Sequence, residues 1–215
     1  MTRRKADLAI EPVTVDRLAD LDELFASGDP RWCQCAYMRL AGVTWSSSTP
    51  AANRAVHREA IEAARAQGWS PGLIAYRDGQ AVGWVSFDRR EAYERLATSR
   101  LLRPVDDREV WSVVCFVVAA SARRSGVASR LLDAAIDYAR HHGVRLLEAY
   151  PVDVSGSTSR KRSSADLWRG TVPMFERAGF TTVEVRRQHS SAPPRPIMRR
   201  AIRAHSRGSA RSPRS

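Results

Sequence analysis

Only three cysteines occur in 215 residues, Cys33, Cys35 and Cys115, an odd count that provides no disulfide framework. No apolar run approaches a membrane span: the longest, Val113 to Ala120, covers less than half of the roughly 20 residues needed. The start, MTRRKADLAI, carries basic side chains but not the apolar stretch of a secretory leader. These absences exclude a disulfide-stapled secreted domain and point to a cytoplasmic protein with no membrane partner. Acidic side chains are scarce too, 23 against 35 Lys and Arg, for a net charge of +12. Seven arginines and no carboxylate lie from Arg195 to Ser215, so the rest of the chain carries only +5. A basic body suits a phosphate-rich ligand, nucleic acid or an acidic surface. Nucleic acid ranks lowest, because the arginines crowd the tail without interleaved aromatics or a recognition helix.

What is present reads as one α/β domain over residues 1–203, followed by a basic tail, 204–215, whose composition predicts disorder. LAIEPV alternates like a strand, and Thr14 stands as a helix cap before VDRLADLDELFA. Thr49-Pro50 is a second helix start, with Val56, Ala60, Ile61 and Ala64 as its expected buried stripe. Asp78-Gly79 between two apolar runs predicts a hairpin. EAYERLATSRLL is either a short helix or a loop. VWSVVCFVV reads as a central strand, and GVASRLLDAAIDYARHHG as a helix with Ala128, Leu131, Leu132, Ala135, Ile136 and Ala139 on one face. RLLEAYPV is a further buried strand, SGSTSRKRSSAD a polar loop, VPMFERAG a short helix, and two strands close the fold. The order is βα-α-ββ-β-α-β-α-ββ.

Between the central strand and its helix lies Arg123-Arg124-Ser125-Gly126-Val127-Ala128. Helix N-termini present unpaired N–H groups and partial positive charge, so they attract anions. Gly126 and Ala128 keep side-chain bulk away, and two arginines match phosphate oxygens. Taken by itself this pattern fits a tight turn into a packed helix equally well. The spacing Arg123-x-x-Gly126-x-Ala128 resembles motif A of the GNAT acyltransferase superfamily, whose Q/R-x-x-G-x-G/A loop binds the pyrophosphate of acetyl-CoA. MFERAGF, with Phe175, Gly179 and Phe180, resembles the family's second signature. DPRWCQCAYMR, VWSVVCFVV, EAYPVD and LWRGTVPMFERAGF together resemble an actinobacterial-type branch of these transferases. The resemblance implies the GNAT fold: a single mixed, mostly antiparallel sheet, splayed at the cofactor site and flanked by helices. It implies acetyl-CoA as cosubstrate, with Arg123, Arg124, Ser125, Gly126, Val127 and Ala128 around the pyrophosphate. The pantetheine arm is expected along the main chain of Phe116 and Val118, the latter matching the family's bulged position.

The resemblance implies N-acetyl transfer to an amine of a small molecule or protein. Two familiar proton carriers are missing. The tyrosine expected four residues before the glycine is Phe175, and a glutamate found six residues before the bulged valine is Ser112. Ser112, which can orient a water, Tyr150 and Asp153 are therefore the catalytic candidates, with Tyr150 the substitute acid, though a structural role fits each. Cys33-x-Cys35 lacks the second pair that zinc requires, so no metal is expected. Trp32, Cys33, Cys35 and Tyr37 fall in the segment that walls the acceptor site in this fold, where packing explains them as well. The alternative readings are an acyl-CoA sensor with weak catalysis and, below it, a nucleic-acid binder. A free strand edge leaves homodimerisation open.

Overall fold

The computed structural model describes residues 8–26, 28–154 and 167–203. Seven strands form one open sheet: β1 (Leu8–Pro12), β2 (Gly72–Arg77), β3 (Gln80–Arg89), β4 (Trp111–Val118), β5 (Leu146–Ala149), β6 (Thr181–Arg186) and β7 (Arg195–Ala201). Their order is β1-β2-β3-β4-β5-β7-β6, and only β4 and β5 run parallel. The helices are α1 (Leu18–Phe25), α2 (Pro30–Cys33), α3 (Gly42–Ser46), α4 (Pro50–Ala66), α5 (Glu94–Thr98), α6 (Val127–His141) and α7 (Val172–Arg177). Strand side chains alternate between faces, so the sheet buries two cores. One joins Val113, Leu147 and Met198 to Leu131, Ile136 and Phe175 of α6 and α7. The other joins Val114, Cys115, Tyr150 and Ile197 to Leu21, Phe25 and Ile61 of α1 and α4.

The local signals act as their chemistry requires. Thr49 accepts a hydrogen bond from the Ala52 N–H, capping α4 above Pro50 at its first turn. Asp78 and Gly79 both take positive φ, 51° and 79°, the twist that joins β2 to β3. On α6 Leu131, Leu132, Ala135, Ile136 and Ala139 are buried, with Val127 rather than Ala128 completing the stripe. The α4 stripe differs from expectation. Asn53, His57, Ile61 and Ala64 are buried, while Val56 and Ala60 stand at its margin. Polar residues at helical spacing carry no hydrophobic signal, so the true face was shifted by a fraction of a turn. Thr14 stands before a 3₁₀ turn, Val15–Arg17, and makes no capping bond. The ambiguous segment after β3 is a 3₁₀ turn, Arg90–Ala92, followed by α5. The expected loop SGSTSRKRSSAD, residues 155–166, and the tail from 204 lie outside the described residues.

The β4–β5 pairing is short. Trp111, Ser112 and Val113 pair with Leu147, Glu148 and Ala149, and β4 then runs on to Val118 without β5, paired with β3. The two strands therefore part at their C-terminal ends, the end of a parallel pair where α/β folds place ligands. Val118 pairs with Gly83 in regular register. The irregularity in β4 falls instead at Val114, between the Cys115–Ser86 and Val113–Phe87 pairs. The bulge thus lies four residues earlier than the resemblance implied, at the point where β4 leaves β5.

Candidate active site

At the end of β4 a 3₁₀ turn, Ala120–Ala122, reverses the chain, and Arg124 and Gly126 then adopt φ of 59° and 82°. Glycine reaches that region without the steric cost an L side chain bears. A Cβ on Gly126 would meet no atom within 4 Å, so its backbone faces open space. That space is a cleft of about 230 Å³ lined by Val118, Ala122, Arg123, Arg124, Gly126, Val127, Ala128 and Ser129. No side chain caps the start of α6, and its first turn holds no carboxylate. The first N–H groups of α6 are left without partners inside the helix. Arg123 leans back, its Nε 3.4 Å from the Val118 carbonyl oxygen. Ser125 donates to Ala122 O at 2.7 Å and receives Arg77 Nη2 at 3.1 Å, which fixes the turn. The six expected junction residues and Val118 are brought together here. A larger hollow of about 360 Å³, between β1 and the β2–β3 turn, contains none of the expected residues.

The gap between the parted strands is crossed by residues 167–171. The Phe116 N–H donates to the Trp168 carbonyl at 2.6 Å, and on the opposite lip the Val152 N–H donates to Gly170 O at 2.9 Å. Thr171 forms a parallel bridge with Val152. This strap thus lies between the lips as a short strand does. Gly170 has φ 75°, and a Cβ there would come within 2.5 Å of Met174 Cε and 2.9 Å of Phe175 Cε2. Only glycine fits. Phe175 is fully buried, its ring set edge-on to Phe116 and Phe180.

On the opposite face from α6 the catalytic candidates meet a buried charge cluster. The Tyr150 hydroxyl, 2% exposed, donates to Glu148, receives Arg90 and lies 3.1 Å from Ser112 Oγ. Burial, then the adjacent Glu148 charge, pushes the Tyr150 phenol well above its ordinary value. Glu148 has no exposed surface and holds Arg90 Nη1 at 2.6 Å and Arg199 Nε at 2.7 Å. Arg199 also reaches Asp106 at 2.7 Å. The Tyr150 proton is therefore engaged inside the cluster. Asp153 lies half-buried beyond β5, on the lip that Val152 forms with the strap.

The four residues expected at the acceptor wall separate. Trp32 is 52% exposed, and its carbonyl receives Asn53 Nδ2. Cys35 turns into the core, accepting Trp84 Nε1 at 3.2 Å; its thiol pKa is lowered by a hydrogen bond from Cys115, then by Trp84. Burial, reinforced by Cys35, raises Cys33 to about 11. Tyr37 alone stands beside the strap, its ring edge-on to Trp45 and Trp168 at 5.1 and 5.5 Å. Among the described residues no group of three or more His, Cys, Asp and Glu side chains could hold a metal. The strap, Arg169 and Glu148 were given no site role from the sequence, although they fall in LWRGTVPMFERAGF and EAYPVD. Gly170 within LWRGTV was the available signal, since a glycine amid bulky residues often marks close backbone approach.

The chain matches the Acetyltransferase (GNAT) family over residues 36–161, more than half its length. No curated protein sequence matches it. Among solved structures it resembles the ribosomal-protein-alanine N-acetyltransferase of Brucella melitensis, with 19% identity and a TM-score of 0.55, covering 90% of this chain and 99% of that one. It also resembles yncA of Salmonella typhimurium, solved with its cofactor acetyl-CoA, at 17% identity and a TM-score of 0.55, covering 94% and 98%. A GNAT-family acetyltransferase of Streptococcus pneumoniae gives 15% and 0.52, covering 92% and 100%. At such identities the structural likeness shows a shared fold. Together with the family match over β4, α6 and β5, it makes this chain a member of the GNAT acetyltransferase family.

Proposed function

We propose that the protein transfers the acetyl group of acetyl-CoA to a primary amine of a small molecule or a protein. The observation that carries this reading is the parting of β4 from β5 beside an α6 N-terminus that holds a cleft and two arginines. The pyrophosphate meets the first N–H groups of α6, with Arg123 and Arg124 adding charge and Gly126 leaving room. The pantetheine arm enters the splay and displaces the Trp168 carbonyl from the Phe116 N–H, which then polarises the thioester carbonyl. The neutral amine nitrogen attacks that carbon, its N–C bond forms, the C–S bond breaks, and the nitrogen loses its proton. Phe175 has no proton for the departing thiolate, and Tyr150 directs its own to Glu148. Water therefore carries both protons, and much of the rate comes from positioning. Tyr150 and Ser112 hold β4 and β5 together just below the splay, as positioning residues. The three thiols are free, which suits a reducing cytoplasmic setting. Among the described residues no helix is long and apolar enough to cross a membrane.

One observation favours a second reading, an acyl-CoA sensor: the strap already satisfies the Phe116 N–H, while Phe175 has no proton and Tyr150 donates its own to Glu148. A turnover screen separates the two. The protein is mixed with acetyl-CoA and a panel of amino acids, polyamines, aminoglycosides and peptides, and products are weighed by mass spectrometry. Amine-dependent release of CoA with a product 42 Da heavier, the roughly expected mass of an added acetyl group, is the expected result. Tight acetyl-CoA binding with no acetylated product across the panel would leave the sensor.

A further inference from the structure

Every buried arginine of the second core has a carboxylate partner: Arg39 pairs with Asp88, Arg90 with Glu148, and Arg199 with Glu148 and Asp106. The arginines around the strap do not. Arg95 lies 4.0 Å from the Tyr37 ring centroid and donates to the Tyr37 carbonyl, yet its Nη2 is buried without a partner. Arg169 lies 5.3 Å from the Trp168 ring, with its Nε likewise buried and unpartnered. Burial, and next the charge of nearby Arg195, draws the Arg169 pKa down to about 10. Among the described residues none of Arg95, Arg169 and Arg195 forms an ion pair. Withdrawing a guanidinium from water beside a second one is costly unless an anion compensates.

The place of these charges matters. Arg169 follows Trp168, whose carbonyl holds the Phe116 N–H in the splay. Tyr37, in edge contact with Trp168, shares the face opposite α6. We propose that this cluster is the acceptor subsite, and that the acceptor is an amine also bearing a carboxylate, held by Arg169 and Arg95, which flank the Tyr37–Trp168 pair. The inference rests on the acetyl-transfer reading and narrows its substrate class. A guanidinium fork matches a carboxylate with two parallel hydrogen bonds, and two arginines fix its orientation. The flanking rings exclude water and strengthen that contact. An amine on the adjoining carbon chain is then directed toward the thioester one residue away. The carboxylate can belong to a free amino acid or to an acidic residue near a peptide's N-terminus.

The test compares matched pairs: L-phenylalanine with phenethylamine, L-lysine with cadaverine, and peptides beginning Ala-Asp with peptides beginning Ala-Asn. Acetylation is followed as kcat/KM, and the amino acids and peptides are also titrated calorimetrically without acetyl-CoA. The carboxylate-bearing member of at least one pair is expected to exceed its mate by tenfold or more. The pair that discriminates identifies the source. Arg169→Gln, and separately Arg95→Gln, should bring that ratio close to one, so a folding defect in either leaves the other as the probe. Equal or faster turnover of the amines without carboxylate would overturn the proposal. So would a failure of every amino acid and acidic peptide to bind a protein that binds acetyl-CoA. Binding of the carboxylates by a protein that does not bind acetyl-CoA would keep the anion subsite and remove the acetyl-transfer reading instead.

Discussion

Glu148→Gln is expected to cost about 3–5 kcal/mol of folding stability, because it strips the charge from a buried pair while leaving the arginines in place. For a chain of this size that corresponds to a fall in Tm of roughly 10 °C. Glu148 is 0% exposed and joins three parts of the fold through its two oxygens: Arg90 after β3, Arg199 on β7, and its own strand β5. Arg199 keeps Asp106 when Glu148 loses its charge, so the deficit falls chiefly on Arg90. Arg90 would keep only neutral partners, the Tyr150 hydroxyl and the carbonyls of Leu96 and Leu102. Urea and thermal denaturation of the variant measure the effect. A loss under about 1 kcal/mol would mean that the cluster admits water and does not anchor the end of β3 to β5 and β7.

Acidification between pH 6.5 and 5 should destabilise the protein by about 2 kcal/mol through His57. The imidazole is 4% exposed, between the rings of Phe25 and Trp84, and its Nε2 has no hydrogen-bond partner. Burial, then the nearby Arg39 charge, lowers its pKa to about 3. In the unfolded chain histidine takes up a proton near pH 6.5, and the folded protein resists doing so until about pH 3. The stabilisation is therefore fully present above pH 6.5 and is lost as pH falls, by about 1.4 kcal/mol per unit within that window. His57→Gln removes the titrating group, and its urea-derived stability should be nearly flat from pH 6.5 to 5. Parallel slopes for the two proteins would show that another group governs the acid limb.

The parts of this fold governed by local chemistry were legible in the sequence. The Thr49-Pro50 start, the Asp78-Gly79 hairpin, the α6 stripe and the strand-to-helix junction each follow from a few adjacent residues. What escaped depends on contacts between residues distant in sequence. Glu148 and Arg199 read as ordinary charges on two strands until β5 and β7 pair and bring them together. His57 and Asn53 carry no hydrophobic signal on α4, yet the Trp84 ring packs on the one and the Trp32 carbonyl accepts from the other. The Cys33-x-Cys35 pair drew attention to an acceptor wall, whereas Gln34 and Cys35 take left-handed backbone angles that turn the second thiol into the core. The strap is the largest such case. Its hydrogen bonds use main-chain groups of Phe116 and Val152, and main-chain groups leave no mark in residue identity.

Binding of CoA at the junction between β4 and α6 is the claim on which the functional account depends, and Gly126→Asp tests it most directly. Gly126 takes φ 82° and borders open space, so an aspartate there would set its carboxylate into the cleft, where the pyrophosphate is proposed to lie. Aspartate tolerates the left-handed region better than most residues, which limits the backbone cost. Repulsion and steric overlap are each large enough to remove about 1.4 kcal/mol, a tenfold change in affinity. The measurement is a calorimetric titration of CoA into the original protein and into the variant, with circular dichroism establishing that both are folded. The account predicts saturable binding by the original protein and at least a tenfold rise in Kd for the variant. Unchanged affinity in a folded Gly126→Asp protein would contradict it.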